Sequence, residues 1–177
     1  FNVSNNNNAL FSVQPSIDPL TGDLTYTPAA DMNGSDTVTV YLTDDGGTAN
    51  GGDDTSPSIT FTITVIDVND EPGFTPGADQ NDAEDSGAHT VNGWATGISA
   101  GPANESGQLL NFNVSNNNNA LFSVQPAIAS NGTLTYTLAS NANGTAIVTV
   151  NLQDDGGTLN GGDDTFGPVT FNINVTD

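Results

Sequence analysis

The stretch "SITFTITVIDVNDEPGF", residues 58–74, joins a strand pattern to a cluster of acids. Apolar and polar residues alternate from Ile59 to Val65, which predicts a β-strand with one buried face. Three acids and an Asn then crowd into residues 67–71, and Pro72 prevents the strand from continuing. Because the chain has no Lys and no Arg, we expect a cation from outside to neutralise these acids.

The composition excludes several classes of function. The 177 residues include 21 acids, no Lys or Arg and one His, so the formal net charge is −21. Such a charge repels nucleic-acid phosphates and anionic lipids, and no apolar run approaches the roughly 20 residues of a membrane span. We therefore expect no nucleic-acid binding and no membrane insertion. For acids taken singly, a solvated coat that keeps the protein soluble is the alternative to cation binding.

The sequence contains an internal repeat. The first fifteen residues, "FNVSNNNNALFSVQP", recur unchanged at residues 112–126. The similarity continues to the end of the chain with one deletion, so that Asp67 falls opposite Asp177. The period is about 110 residues, the scale of a β-sandwich module in a tandem array.

This repeat predicts two domains. Residues 1–67 form a partial repeat whose first strands are absent, and residues 68–177 form a complete one. The missing part corresponds to residues 68–111. Trimming of a longer array and completion by a neighbouring chain both explain the partial repeat.

Period-two alternation recurs along the chain, whereas no stretch shows helical periodicity. The pattern predicts two all-β sandwich modules, with Trp94 in the core of the second. The Asn runs at residues 5–8 and 116–119 are predicted hairpin loops, since Asn tolerates left-handed backbone conformations. In the complete repeat the predicted strands lie near residues 74–80, 88–98, 109–115, 120–125, 133–138, 145–152 and 168–176.

Three segments carry a family resemblance. "LFSVQPSIDPLTGDLTYTP", "VTVYLTDDGG" and "ITFTITVIDVNDEPGF" fall in the order found in cadherin repeats. Over essentially its whole length the chain resembles the bacterial cadherin-like tandem repeats of giant surface adhesins, and the linker "DVNDEPGF" is the most specific part. The resemblance implies tandem cadherin-like (Ig-like) Greek-key β-sandwiches located outside the cell, at the bacterial cell surface.

The resemblance also implies Ca²⁺ as the cofactor, because linker acids in that family bind calcium together with acids of the flanking domains and stiffen the joint. Carried over, the linker ligands are Asp67, Asn69 and Asp70. Incomplete conservation of the family's motifs in this sequence implies fewer than three ions per joint. The other candidate ligands are Glu105, Asp154 or Asp155, Asp44 or Asp45 in the partial repeat, Glu84 with Asp85 beside it, and Asp31.

Two Gly-rich loops form a second candidate site. They read "DDGGTANGGDDT" at residues 44–55 and "DDGGTLNGGDDT" at residues 154–165. Their spacing is not that of an EF-hand loop. The later acids of each loop either bind a calcium ion locally or only form turns; they are Asp53, Asp54, Asp163 and Asp164.

The expected function is that of a calcium-rigidified structural extender repeat in a bacterial cell-surface or secreted adhesin, with neighbouring repeats as partners. Two alternatives stay open. One is a module that recognises a surface polysaccharide or other copies of the chain, and the other is a filament subunit assembled by strand donation between neighbouring chains. We do not expect an enzyme, because the sole His89 reads as a surface residue without a thiol or an activated Ser.

Overall fold

A computed structural model describes all residues from Phe1 to Asp177. The chain forms two compact units, Phe1–Asp67 and Val68–Asp177. Both consist of β-strands and short 3₁₀ turns. The structure contains no helix with the length and apolarity that crossing a membrane requires.

The first unit has five strands and the second has nine. Those of the first unit are β1 (Asn2–Asn5), β2 (Phe11–Ile17), β3 (Leu24–Pro28), β4 (Gly34–Tyr41) and β5 (Ile59–Val65). Those of the second unit are β6 (Gly73–Thr75), β7 (Gln80–Ala83), β8 (Ala88–Val91), β9 (Thr96–Ser99), β10 (Asn111–Asn116), β11 (Phe122–Ile128), β12 (Leu134–Leu138), β13 (Gly144–Gln153) and β14 (Thr165–Thr176). The 3₁₀ turns are Asn8–Leu10, Ala49–Gly51, Ala103–Glu105, Asn119–Leu121 and Leu159–Gly161.

The second unit is a two-sheet sandwich. One sheet has the order β10-β13-β14-β7, the other has the order β11-β12-β8, and β6 pairs with β9 in a short ribbon. All pairings are antiparallel except that of β7 with β14, which is parallel. The strand β7 is an edge strand of the four-stranded sheet, and β8 is an edge strand of the three-stranded sheet.

The core of the second unit follows the alternation of its long strands. Alternate residues of β13 are fully buried at Val148, Val150 and Leu152, and β12 buries Leu134 across the sandwich. Burying one such side chain contributes roughly 1.5–3 kcal/mol. Trp94 is 3% exposed and belongs to the same cluster, which confirms its predicted place in the core.

The first unit has a smaller core. Its sheets have the orders β1-β4-β5 and β2-β3, so that both β3 and β5 have one unpaired edge. The buried side chains are Leu10, Phe11, Val38, Val40 and Ile63.

The strand predictions at the start of the second unit were wrong in three ways. The predicted strand near 74–80 extends only over Gly73–Thr75, the strand near 88–98 is divided, and the strand at Gln80–Ala83 was not predicted. The predicted strand at 88–98 is divided into β8 and β9 by a turn at residues 92–95, where Gly93 has a φ of +66°. The polar segment Gln80–Ala83 lacks alternation, yet it forms β7 because the exposed edge of β14 supplies its hydrogen-bond partners. The strand at Gln80–Ala83 therefore depends on pairing with a distant strand, which the local residue pattern does not reveal.

The Asn runs are not hairpin loops, because each joins strands that lie in different sheets. In the first unit, Asp36 Oδ1 accepts hydrogen bonds from the backbone N–H groups of Asn6 and Asn7, each at 3.0 Å. Burial opposes ionisation of Asp36, but hydrogen bonds from the Asn5 side chain and from nearby backbone N–H groups outweigh it and lower the pKa of Asp36.

In the second unit Ala146 stands at this position. There Asn117 Oδ1 accepts from the Ile147 N–H at 2.8 Å, and the Asn118 side chain donates to the Thr145 carbonyl at 3.2 Å.

The repeat supplies a matched pair of core substitutions. Leu134 is 0% exposed and its counterpart Leu24 is 39% exposed. We expect Leu134→Ala to lower the free energy of unfolding by about 2–5 kcal/mol, because it leaves a cavity. Leu24→Ala should cost less than about 1 kcal/mol. Denaturant unfolding followed by Trp94 fluorescence measures the second unit, and amide exchange at Val38 measures the first.

Equal losses for the two substitutions would contradict this expectation, since they would mean that Leu24 is covered as fully as Leu134 is.

Candidate metal centre

The predicted ligands divide between the two units. In the second unit they lie near opposite ends of β14: one group near Thr165, where β14 begins, and the other near Thr176, where it ends. The first group consists of Asn69, Asp70, Glu105, Asp154 and Asp155; the second consists of Glu84 and Asp85; and the first unit carries Asp31, Asp44, Asp45 and Asp67.

A hydrogen-bonded cluster surrounds Asn69 in the second unit. The Asn69 amide nitrogen donates to Asp154 Oδ1 at 3.0 Å and to the Asp163 carbonyl at 2.7 Å. Its amide oxygen accepts from Gln108 Nε2 at 2.7 Å. The Asp163 N–H in turn donates to the Asn69 carbonyl at 3.0 Å. We call Asn69, Gln108, Asp154 and Asp163 the Asn69 cluster.

Asp154 is the inward-facing acid of its loop. It directly follows β13, its carboxylate accepts from the Gly156 N–H at 2.9 Å, and the residue is only 6% exposed. Its second oxygen, Oδ2, is buried and accepts no hydrogen bond. Asp155 is exposed and accepts from the Leu109 N–H at 2.8 Å. The sequence left Asp154 and Asp155 as alternatives, and the structure places only Asp154 in the Asn69 cluster.

Glu105 provides a second buried carboxylate beside the linker. It lies at the end of the short turn Ala103–Glu105 and is 4% exposed. Glu105 Oε1 accepts a hydrogen bond from the Asp70 N–H at 3.0 Å. The Asp70 side chain itself is exposed. A side chain at Gly101 would place its Cβ 2.1 Å from Glu105 Oε2, so the backbone packs directly against this carboxylate.

The oxygen atoms near Asn69 fit a hard cation that binds both carboxylate oxygens and neutral oxygens. No three His, Cys, Asp or Glu side chains gather as a metal-binding group, so carboxylates alone do not form a site. Oxygen atoms are nevertheless concentrated here, and the buried Gln108 Oε1 accepts no hydrogen bond, as Asp154 Oδ2 does not. Calcium accepts amide and backbone carbonyl oxygens besides carboxylates. A buried carboxylate in a chain without Lys or Arg fits such an ion.

The sequence did not single out Gln108 or the Asp163 carbonyl. Gln108 lies in "NESGQ", where only Glu105 drew attention because of its charge. A backbone carbonyl carries no residue-type signal at all. The nearby acid Glu105 was the one feature that could have directed attention to Gln108.

The equivalent loop of the first unit has the same turn without the cluster. Asp44 Oδ1 accepts from the Gly46 N–H at 2.8 Å, and the Asp44 N–H donates to the Asp54 carbonyl at 3.0 Å. Asp44 is exposed, and so is Asp45. The acids Asp53 and Asp54 accept hydrogen bonds from their own loop at Thr55. These acids accept turn hydrogen bonds within their own loop, and local calcium binding there stays a prediction.

Three of the remaining predicted ligands, Asp85, Glu84 and Asp67, form hydrogen bonds within their own units. Asp85 Oδ1 accepts from the Asn141 N–H at 2.8 Å, and the Glu84 N–H donates to the Thr176 carbonyl at 2.8 Å. The Asp67 carboxylate accepts from the Asn33 side chain within the first unit. Asp31 is exposed and has a φ of +57°.

The single His lies in a hydrogen-bonded row. His89 Nε2 is 2.9 Å from Ser86 Oγ, its Nδ1 is 3.3 Å from Asp82 Oδ1, and its ring stacks on Tyr136 at 4.9 Å. His89 is partly exposed, which agrees with the expectation of a surface residue, and one face of its ring is covered by Tyr136. The Ser86 hydroxyl also lies within hydrogen-bond distance of the Ala83 carbonyl, at 2.6 Å.

The Tyr136 hydroxyl donates to Asp82 Oδ2 at 2.6 Å. Burial of the phenol, together with the hydrogen bond to Asp82 and the charge of that carboxylate, raises the pKa of Tyr136 well above its ordinary value. These contacts from Ser86 to Tyr136 attach β8 to β12 and to β7.

Comparisons with known proteins concern the fold. No protein-family model matches the sequence. No curated protein matches it either. The chain is similar to a crystal structure of human protocadherin-24 EC1-2 (form II). The match covers 99% of this chain and 81% of the protocadherin chain, with a TM-score of 0.56 and 16% sequence identity. The prediction of an all-β, cadherin-like β-sandwich is confirmed.

The close packing of the Asn69 cluster generates a prediction. A Cβ at Gly156 would lie 1.8 Å from Asn69 Oδ1 and 2.6 Å from Gln108 Nε2. We expect Gly156→Ala to displace the Asn69 side chain and to cost about 1–3 kcal/mol of unfolding free energy. Trp94 fluorescence during urea unfolding measures the loss, and the side-chain amide signals of Asn69 in NMR spectra report the displacement.

Gly46→Ala is the matched control. The atom nearest to its Cβ is Asp44 Oδ1 of the same turn, at 2.9 Å, and no residue equivalent to Asn69 is present. An unchanged Asn69 signal in the Gly156→Ala variant would contradict this close packing, since it would mean that the space beside Asn69 Oδ1 accommodates a methyl group.

Proposed function

We propose that this chain is a calcium-stabilised structural extender: repeats of an extracellular array in a bacterial cell-surface or secreted adhesin. The observation that carries the proposal is the Asp154 carboxylate, which is buried, has one oxygen that accepts no hydrogen bond, and belongs to a chain without Lys or Arg. The bacterial surface setting is supported by the resemblance of the linker and strand motifs to repeats of giant adhesins.

The residues that would hold calcium are those of the Asn69 cluster, with Glu105 beside it. Calcium takes six to eight oxygen ligands, and it would supply the positive charge that the chain itself lacks. Asp154 would contribute a carboxylate, Asp163 a backbone carbonyl and Gln108 its amide oxygen. Asn69 would contribute its amide oxygen after its side-chain amide turns over, because its nitrogen faces Asp154 and Asp163 in this structure. Most of these ligands are neutral oxygens. The site would therefore bind calcium weakly and fill at millimolar extracellular calcium, unlike the tight sites of cytosolic calcium buffers.

The position of the cluster in the chain supports a mechanical role. Asn69 and Asp70 lie two and three residues after Asp67, the last residue of the first unit, and both form hydrogen bonds with distant residues of the second unit. Ion binding at the Asn69 cluster would hold this connecting segment more firmly on the second unit. Fewer free backbone torsions after Asp67 leave fewer orientations for the neighbouring repeat.

A carbohydrate-binding role has less support. Sugar sites usually present exposed aromatic rings, but Trp94 is buried, and its ring centroid lies 4.3 Å from that of Phe171. Tyr41 is half-buried, and its counterpart in the second unit is Asn151, so no aromatic platform is repeated. The chain is therefore better suited to spacing than to sugar recognition.

Calcium removal tests the proposal. At a free calcium concentration ten times the dissociation constant, one site adds about 1.4 kcal/mol to the stability of the folded state. We expect the melting temperature of the second unit to rise by roughly 5–10 °C on replacing chelator with calcium. Trp94 fluorescence follows this unit alone, since it is the only Trp.

Asp154→Asn should abolish the response to calcium without lowering the melting temperature in chelator, because it removes a buried charge but retains an acceptor for Gly156. Asp44→Asn is the matched control: it makes the same change of charge in the equivalent turn and should leave the response intact. An unchanged melting temperature in the parent protein, or a full response in Asp154→Asn, would contradict the calcium site.

A further inference from the structure

The side-chain amino group of Asn69 serves two oxygen acceptors at once. Its two hydrogens go to Asp154 Oδ1, at 3.0 Å, and to the Asp163 carbonyl, at 2.7 Å. The Asp154 N–H donates to the Asp164 carbonyl at 3.1 Å, and this bond at the base of the loop brings the two acceptors together. Both acceptors are oxygens that would bind calcium under the proposed function, so the amino group competes with the ion for them.

The Asn69 amino group is an incomplete substitute for a cation. An amide nitrogen has two hydrogens and no net charge, whereas calcium takes six to eight oxygen ligands. Both hydrogens are already used, and the second oxygen of Asp154, Oδ2, is buried without a hydrogen bond. Because Asp154 is only 6% exposed, solvent does not replace the missing donor. The ion-free arrangement therefore leaves part of the Asp154 charge uncompensated.

Gln108 determines which way the Asn69 amide faces. Gln108 Nε2 donates to Asn69 Oδ1 at 2.7 Å, and this contact directs the Asn69 nitrogen toward Asp154. The Gln108 oxygen, Oε1, is buried and accepts no hydrogen bond. If both amides turn over together, Asn69 Nδ2 donates to Gln108 Oε1, so the pair keeps one hydrogen bond. The two arrangements then differ in whether the nitrogen or the oxygen of Asn69 faces Asp154.

The backbone of Asn69 is held independently of its side-chain amide. The Asn69 carbonyl accepts from the Asp163 N–H at 3.0 Å, and a Cβ at Gly162 would lie 3.0 Å from the Asn69 backbone nitrogen. The Asn69 oxygen Oδ1 faces Gly156, where a Cβ would lie only 1.8 Å away. The amide can therefore turn about its own side-chain bond while the linker backbone stays in place.

Given the proposed calcium site, on which this inference rests, we propose that the amides of Asn69 and Gln108 form an internal substitute for the ion. We call them the amide pair. Without calcium the Asn69 nitrogen faces Asp154; with calcium both amides are turned over, and Gln108 Oε1 accepts from Asn69. An amide oxygen has two lone pairs, so Gln108 Oε1 can serve Asn69 and the ion together.

The amide pair would set the calcium concentration at which the site fills. Turning the pair breaks the hydrogen bonds from Asn69 to Asp154 and to the Asp163 carbonyl, which weakens calcium binding. The same two hydrogen bonds stabilise the fold when calcium is absent. Gln108 is the positioning residue of the pair, because its amide selects the orientation of Asn69.

NMR spectra of the full chain, recorded in chelator and in saturating calcium, test the exchange. In chelator the Asn69 oxygen faces Gly156, and in calcium the Asn69 amide hydrogens would face it. We expect the nuclear Overhauser effect between these hydrogens and the Gly156 Hα atoms to become at least threefold stronger with calcium. The side-chain amide signals of Asn69 and Gln108 should shift with the same midpoint, because the two amides turn together.

Gln108→Glu tests the positioning role. A carboxylate cannot donate to Asn69 Oδ1 but accepts from Asn69 Nδ2, so it favours the turned-over amide. We expect the stronger effect at Gly156 already in chelator, and at least tenfold tighter calcium binding by titration calorimetry. Asn104→Asp is the control: it adds the same charge at an exposed residue of the same connection. It should keep the parent spectrum in chelator and change the affinity less than threefold.

Two results would overturn the amide exchange and leave the calcium site standing. One is calcium binding by the parent protein with an unchanged effect between Asn69 and Gly156. The other is a Gln108→Glu variant that matches Asn104→Asp in both measurements. A melting temperature of the parent that does not respond to calcium would instead overturn the proposed function, and the exchange with it.

Discussion

The second unit buries the carboxylates of Asp154 and Glu105, although the chain has no Lys or Arg to pair with them. Transfer of an ionised carboxylate out of water costs several kcal/mol unless donors replace the lost hydration. Here the replacement donors are neutral: the Asn69 amide and the Gly156 N–H for Asp154, and the Asp70 N–H for Glu105. Asn69 and Asp70 belong to the linker, so these hydrogen bonds also hold the conformation of the linker.

The internal repeat shows how much of this arrangement comes from tertiary contacts. Asp44 and Asp154 occur in nearly identical loops and make the same turn, but only Asp154 is buried. The difference arises because Asn69 and Gln108 approach Asp154 and no equivalent residues approach Asp44 in the first unit. The same comparison holds for Tyr26 and Tyr136, whose strands share the sequence "LTYT". Local sequence therefore specifies the turn and the strand, and burial is specified by distant segments.

The sequence was sufficient to predict the strands whose alternation is strong, such as β13 and β14, and the placement of Trp94 in the core. It was insufficient for β7, because "QNDA" becomes a strand only through pairing with β14. The hairpin expectation for the Asn runs failed for a similar reason: a turn-forming composition does not reveal whether the next strand joins the same sheet. Sandwich topology is a long-range property that a short run of residues does not encode.

The candidate site was predicted in outline only. The linker motif predicted Asn69 and Asp70 as ligands, and in the structure both form hydrogen bonds with distant acids of the second unit. Choosing Asp154 over Asp155 required the direction in which each side chain points, which adjacent residues of identical type do not reveal. Gln108 was missed because a neutral side chain in a loop gives no sequence signal until its neighbours are known.

The central claim is that the Asn69 cluster binds calcium and thereby compensates the buried charge of Asp154. Anomalous X-ray diffraction from crystals of the chain grown with calcium measures this most directly. The account predicts an anomalous difference peak within coordination distance of an Asp154 oxygen and the Asp163 carbonyl, with the Asn69 amide oxygen turned toward it. A map in which the Asn69 amide nitrogen still donates to Asp154, with no anomalous peak in the cluster, would contradict it.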